Sequence, residues 1–370
     1  MPNIQDHAIA VGGLSLAERP FDALDSLILA QLVYMPMEGK LDKGESCTLL
    51  EAWRFLRDQC DFAALDPFQQ KRYRLTEVCA GLARYQGWQL HDYINNIDNE
   101  LVTQFCALTF EPPSAGFSYV AFRGTDLSLA GWKEDLNMSF MTVPAQTEAA
   151  EYVQRIARQN GDALFLGGHS KGGNLAVYAG AWADACTRER IRRVYSFDGP
   201  GLDETTMLSE GYQLLSARIE SYIPQSSVVG MLLAYHPIYT VVRAHAIGIL
   251  QHDAMTWQVE NGRFVQLGSL DLSGKLTDEA LHAWLCEMTL DDRRLLVNTL
   301  YRVIDAAQAE QVTDLLDDWR ESTSRILEAI RDLSPEVKKS VRRMLHSLFT
   351  TGALQALRNV LQGFSKPLQP

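Results

Sequence analysis

The stretch ALFLGGHSKGGNLAVYAG, residues 163–180, sets one serine between glycines where an apolar run meets a helix-like run. Gly168, His169, Ser170, Lys171 and Gly172 match G-x-S-x-G. With a strand before it and a helix after it, this pattern puts the serine on a strained turn at the carboxyl edge of a sheet. Glycines at 168 and 172 remove side chains that would collide with neighbouring backbone, and Gly173 lets the helix approach the strand. The chemistry implied is nucleophilic attack by Ser170. The free N–H groups and positive dipole end of the following helix favour a developing oxyanion, with the Lys171 N–H as one donor. A structural glycine turn is the competing reading. The Lys171 ammonium suits that helix end poorly and is expected in solvent.

A second oxyanion donor is needed, and Tyr119–Asp126 (YVAFRGTD) supplies a candidate. Its strand ends in Phe122, Arg123, Gly124 and Thr125, so Thr125 stands at a strand's carboxyl edge with both an N–H and a hydroxyl to offer. A serine also needs a base. The histidines after Ser170 are His236, His245, His252, His282 and His346. The last two fall in a helical region, His245 lies inside the strand-like VVRAHA as a packed or edge residue, and His236 stands beside Pro237 in a loop or lid. His252, in ILQHDAMTWQV, occupies a polar break between a strand and a hairpin, where a loop can bring an imidazole over the serine.

In order and approximate spacing, FRGT, W-x-x-D (Trp132 and Asp135), GHSKGG and FDGPG resemble the class 3 (fungal-type) lipases of the α/β-hydrolase fold, over roughly residues 20–270. More closely, the chain resembles a largely uncharacterised bacterial family of lipase-like hydrolases, with which the HD-x-x-x-W pattern at His252 is shared. The resemblance implies that Ser170 is the nucleophile, that Thr125 and the Lys171 N–H form the oxyanion hole, and that His252 is the base. Trp132 and Asp135 read as structural, with Asp135 holding Arg123 or His169. Where the lipases carry a mobile lid, between Thr125 and Trp132, this chain has only the short DLSLAG. The class 3 acid lies on the loop after the strand that here ends IESYIPQSSVVG, and Gln225, Ser226 and Ser227 stand there instead. Some α/β hydrolases carry the acid one strand earlier, so Asp198, ending RRVYSFD, is the expected third member. Asp203 reads as a helix N-cap and Asp253 as a solvated neighbour of His252.

The elements that must position these residues follow from periodicity. The first hundred residues read as helical, Leu24, Leu27, Ile28, Leu32 and Met35 lying on one face. LVTQFCALTFEPPSAGFSYVAF reads as a hairpin, and short apolar strands then alternate with helices: TEAAEYVQRIARQN, ALFLGG, KGGNLAVYAGAWADAC, RRVYSF, IESYIP and YTVVRAHA. The expected class is α/β: an α/β-hydrolase fold with a mainly parallel central sheet, N-terminal helices and a helical C-terminal subdomain. The boundaries are 1–274 for the hydrolase domain and 275–370 for the helices. Thr289 with Asp292 and Ser334 with Pro335 mark helix starts there, and Leu296, Leu300, Val303 and Ile304 form an apolar stripe.

Composition sets the outer limits. With 370 residues, 46% of them hydrophobic, the chain can bury a full core. A net charge of −12 leaves no basic field for nucleic acid. The N-terminus lacks a signal-peptide pattern, and the longest apolar runs, such as SLILAQLVYM, are too short for membrane insertion. Six cysteines, scattered at 47, 60, 79, 106, 186 and 286, read as reduced thiols of a cytoplasmic protein. The expectation is a serine hydrolase that cleaves small or lipid-like carboxylic esters through an acyl-enzyme, without metal or organic cofactor. A serine peptidase or thioesterase with the same triad is one alternative. The other is a degenerate hydrolase scaffold whose helical C-terminus binds a partner.

Overall fold

The computed structural model describes residues 1–270 except 43, 99–102, 114–115, 126–137, 139–141, 228–237 and 247, together with Pro335. The proposed boundary at 274 and the C-terminal helices therefore lie outside the described residues.

Among the described residues, nine strands form one sheet in the order β1 (Ser46–Thr48), β2 (Gln89–Asp98), β3 (Thr103–Glu111), β4 (Phe117–Phe122), β5 (Ala163–His169), β6 (Ile191–Phe197), β7 (Ile219–Pro224), β8 (Thr240–Val242) and β11 (Gln266–Leu267). Pairing from β1 through β4 is antiparallel, and from β4 through β8 it is parallel. The expected hairpin is β3 with β4, and the expected parallel region follows it. A small ribbon, β9 (Val259–Glu260) with β10 (Arg263–Phe264), precedes β11, which pairs antiparallel with β8.

The central strand β4 is buried on both faces because both faces are covered. Along β4, Tyr119 and Ala121 belong to the core beneath the N-terminal helices, α1 (Ile4–Val11), α2 (Ala23–Leu32), α3 (Leu49–Gln59) and α4 (Pro67–Ala80). Val120 and Phe122 alternate into the opposite core, against α5 (Pro144–Gln159) and α6 (Lys171–Trp182). This layering is an α/β-hydrolase fold, with the strand-to-helix turn of β5 and α6 at its centre. None of the described helices is long and apolar enough to cross a membrane.

The N-terminal third departs from its helical reading in two places. β1 and β2 are strands, and β2 is hard to recognise because QLHDYINNID alternates poorly. Its register shifts between His91 and Ile94, with Asp92 at φ 55°, so a bulge breaks the period of two. Two shorter corrections follow from caps and pairing. The helix after Ser170 stops at Trp182, and a separate one, α7 (Ala185–Arg190), starts where Asp184 caps it. YTVVRAHA is a strand only over Thr240–Val242, beyond which Ala244 makes a single bridge to Trp257.

α2 is less amphipathic than its spacing suggests, since Asp25, Ser26 and Gln31 are buried with its apolar residues. Asp25 is matched in place. It accepts from Arg84 Nε at 2.8 Å, Arg84 Nη2 at 2.6 Å and the Tyr85 hydroxyl at 2.7 Å, and both members of the ion pair are fully enclosed. The five described cysteines are all free.

Candidate active site

Ser170 has φ 58° and ψ −134°, a region that side chains other than glycine rarely adopt. Close packing holds the turn on both sides. A Cβ on Gly168 would lie 2.3 Å from the Gly172 carbonyl carbon, and one on Gly172 would lie 2.1 Å from the Phe122 carbonyl oxygen. Backbone bonds fix it further: Ser170 N–H donates to Phe197 O at 2.9 Å, and Gly173 N–H to Ser170 O at 2.8 Å. The serine thus stands at the carboxyl edge of β5, between the ends of β4 and β6.

Asp198 follows β6 directly, with φ 48°, and its N–H continues the ladder to Tyr222 O at 2.8 Å. Its carboxylate is buried. Oδ2 lies 2.6 Å from Nδ1 of His252, and Oδ1 accepts from the Ser227 hydroxyl. The His252 ring remains one quarter exposed. Bonded to a carboxylate, Nδ1 carries the proton, which leaves Nε2 of the neutral ring as an acceptor.

Several bonds hold the turn that carries His252, a 3₁₀ segment over Gly248–His252. His169 Nε2 lies 2.7 Å from His252 O, with the two rings 4.5 Å apart. Burial first, then the neighbouring His252 and Arg72, holds the His169 pKa well below its ordinary value. The ring is therefore neutral and, facing a carbonyl, donates from Nε2. Trp257 Nε1 donates to Gln251 O at 2.8 Å, and Gln251 Oε1 accepts from Ser226 N–H at 3.0 Å. Gln225 bonds both N and O of Ala244. The polar loop Gln225–Ser227 thus ties the acid to the histidine turn, although it lacks a carboxylate of its own.

Thr125 follows Gly124, whose chain runs against the elbow: a Cβ there would be 2.6 Å from His169 O and 2.9 Å from Ser170 Cβ. The Lys171 side chain contradicts the expectation of solvent. It is 1% exposed, and Nζ donates to Gln104 O of β3 at 2.8 Å. Its aliphatic stem packs in the first turn of α6 while the ammonium finds a carbonyl, so the charge is satisfied inside. Asn174, one turn on, donates to Pro200 O and Gly201 O and accepts from Gln146 Nε2, which fastens α6 to the loop after Asp198.

Other candidates separate out. Asp203 caps α8 (Glu204–Leu208), as its sequence position suggests. Asp253 is not a solvated neighbour. It caps the next 3₁₀ turn and pairs with Lys71 Nζ at 2.6 Å, its side chain 8% exposed. His245 is exposed rather than packed. His236, His282, His346, Trp132, Asp135 and the DLSLAG segment lie outside the described residues. Arg123 Nη2 donates to Asn95 Oδ1 at 2.8 Å. No group of three or more His, Cys, Asp or Glu suited to a metal occurs among the described residues. Sequence reasoning missed Ser227, His169 as a donor, and Gln251. The pentapeptide's own histidine was the one visible signal.

Solved structures that the chain matches include a Rhizomucor miehei lipase in a propeptide complex (15% identity, TM-score 0.31, 42% of this chain and 57% of that one). They also include the M37 lipase (13% identity, TM-score 0.38, 57% and 70%) and lipase II of Rhizopus niveus (13% identity, TM-score 0.33, 42% and 67%). The matched region thus spans 57% of the Rhizomucor chain. No curated protein matches this sequence. A family model, Mbeg1-like, matches residues 80–302, more than half of the chain and the whole stretch from Ser170 to His252. The chain belongs to the Mbeg1-like family.

Proposed function

We propose that this protein is a serine hydrolase that cleaves carboxylic esters through an acyl-enzyme, with Ser170 as nucleophile, His252 as general base and Asp198 as the acid that orients it. The observation that carries this reading is the 2.6 Å bond between Asp198 Oδ2 and His252 Nδ1, made by two chain segments that also flank the strained Ser170 elbow.

The steps follow from the protonation states. Nε2 of His252 removes the proton as Ser170 Oγ attacks the ester carbonyl, and the imidazolium that forms is stabilised by Asp198. The N–H of Lys171 and the N–H or hydroxyl of Thr125 receive the oxyanion. Collapse expels the alcohol, which takes its proton from Nε2, and water repeats the sequence on the acyl-enzyme. These groups need no metal or organic cofactor. Small or lipid-like esters both suit such a site. The reading carries with it the cytoplasmic setting expected from the scattered cysteines. The reading of a relic scaffold rested on the missing acid after β7, and the Asp198–His252 bond argues against it.

The test is hydrolysis of activated esters by Ser170→Ala. Turnover should fall to background while the melting temperature holds. Hydrolysis at the wild-type rate would overturn the proposal.

A further inference from the structure

Helix α4 brings two adjacent cations to the rim of this site, and they are treated differently. Lys71 is neutralised by Asp253, the residue after His252, at 2.6 Å. Arg72 has no carboxylate within ion-pair distance among the described residues. Its Nε donates to Oε1 of the buried Gln31 at 3.2 Å, and its guanidinium carbon lies 3.6 Å from the centre of the Tyr34 ring. These two contacts fix the guanidinium plane yet occupy only one of its five N–H donors.

Tyr34 connects this cation to the nucleophile. A Cβ on Gly124 would lie 2.4 Å from the Tyr34 hydroxyl and 2.9 Å from Ser170 Cβ. One tyrosine side chain therefore separates Arg72 from the elbow. The charge is felt there, since Arg72 contributes to the lowered pKa of His169. In a chain of net charge −12, a half-buried arginine without a counter-ion among the described residues, one tyrosine away from Ser170, is an available anion partner.

We infer that Arg72 seats an anionic group, a carboxylate or a phosphate, on the ester substrate of Ser170, so that the enzyme prefers anionic over neutral esters. This rests on the hydrolase reading above. The guanidinium fork matches two oxygens of such a group, and the stack on Tyr34 orders it before the ligand arrives, which lowers the entropic cost of binding. The anion is a spectator in the chemistry: the ester C–O bond breaks, the alcohol leaves with its proton, and water completes the hydrolysis.

The experiment compares matched esters in the wild type, Arg72→Gln and Arg72→Lys. On the acyl side the pair is an aryl glutarate monoester with a free terminal carboxylate and its methyl-capped form. On the alcohol side it is an acyl glycerol phosphate and the corresponding acyl glycerol. In the wild type at low salt, kcat/KM for the anionic member of one pair should exceed that of its neutral twin about tenfold or more, mainly through KM. The ratio should fall to about one in Arg72→Gln and lie between in Arg72→Lys. The pair that shows the preference identifies the source of the anion. A wild-type ratio near one for both pairs, or a ratio that survives in Arg72→Gln, would overturn the inference. If the wild type hydrolyses none of these esters, the hydrolase reading fails on its own. Calorimetric binding of a glutarate monoalkylamide and of an alkyl glycerol phosphate then decides the matter: binding of either weakened about tenfold or more by Arg72→Gln sustains the anion seat, and wild-type binding of neither removes it.

Discussion

Asp25 and Asp198 are both fully buried carboxylates, and each is held by a basic side chain and a hydroxyl. The partners differ in kind. Asp25 meets Arg84, a permanent cation enclosed with it, and the pair is satisfied on every side. Asp198 meets an imidazole, a ring with a second nitrogen beside the one facing the carboxylate, whose side chain stays one quarter exposed. The first arrangement locks α2 to the segment after α4. The second leaves the other imidazole nitrogen unspent on the carboxylate, which is what the proposed role of His252 requires.

Substitution at the two positions should separate the roles most sharply. Asp198→Asn should lower turnover by up to about 10⁴-fold, because the amide favours the wrong imidazole tautomer, with the fold retained. Asp25→Asn should do the reverse, costing about 3–5 kcal/mol of stability by stranding Arg84, while the folded fraction keeps its turnover. Denaturant midpoints and turnover per folded molecule measure both. Equal kinetic loss at both positions would erase the distinction.

Removing one oxyanion donor comes next. Thr125→Val should reduce kcat by about 10–10³-fold if the hydroxyl donates, and leave it unchanged if the N–H acts alone. Ser227→Ala removes the bond to Oδ1 of Asp198 and should lower kcat about tenfold with KM little altered, on the scale of one hydrogen bond to a charged group. That loss should vanish in an Asp198→Asn background, as a double-mutant cycle would register.

The smallest effect concerns His169. Its ordinary pKa is 6.5 and burial lowers the folded value well below that. Below pH 6.5 the unfolded chain takes up a proton that the folded chain refuses, so stability falls as pH drops toward the folded value. One unit below 6.5 the contribution is at most about 1.4 kcal/mol. His7, also lowered chiefly by burial, acts in the same direction in both proteins. Thermal melts from pH 7 to 5 should thus show a shallower decline for His169→Gln than for the wild type, and parallel curves would refute the assignment.

Much of the fold was legible because its signals are local. The elbow, β5, α6 and the hairpin β3–β4 each announce themselves through apolar runs and glycines within a few residues. β2 was not legible, since its bulge at Asp92 breaks the alternation and its strand character comes from pairing with β3. The site divides in the same way. Ser170 and its flanking glycines are read from five consecutive positions, whereas His252 rests on a polar break together with the HD-x-x-x-W resemblance, and Asp198 on the resemblance to hydrolases that carry the acid one strand earlier. Ser227 and His169 act through bonds that span 29 and 83 positions, which no local pattern encodes. Lys171 misled because a lysine at a helix start usually points outward, and here a β3 carbonyl accepts its ammonium within the core.

The most direct test is to react the full chain with a fluorophosphonate probe and map the adduct by peptide mass spectrometry. The account predicts stoichiometric modification of Ser170, slowed strongly in Asp198→Asn and absent in Ser170→Ala. A protein that hydrolyses esters without labelling at Ser170, or that labels equally well in Ser170→Ala, would contradict it.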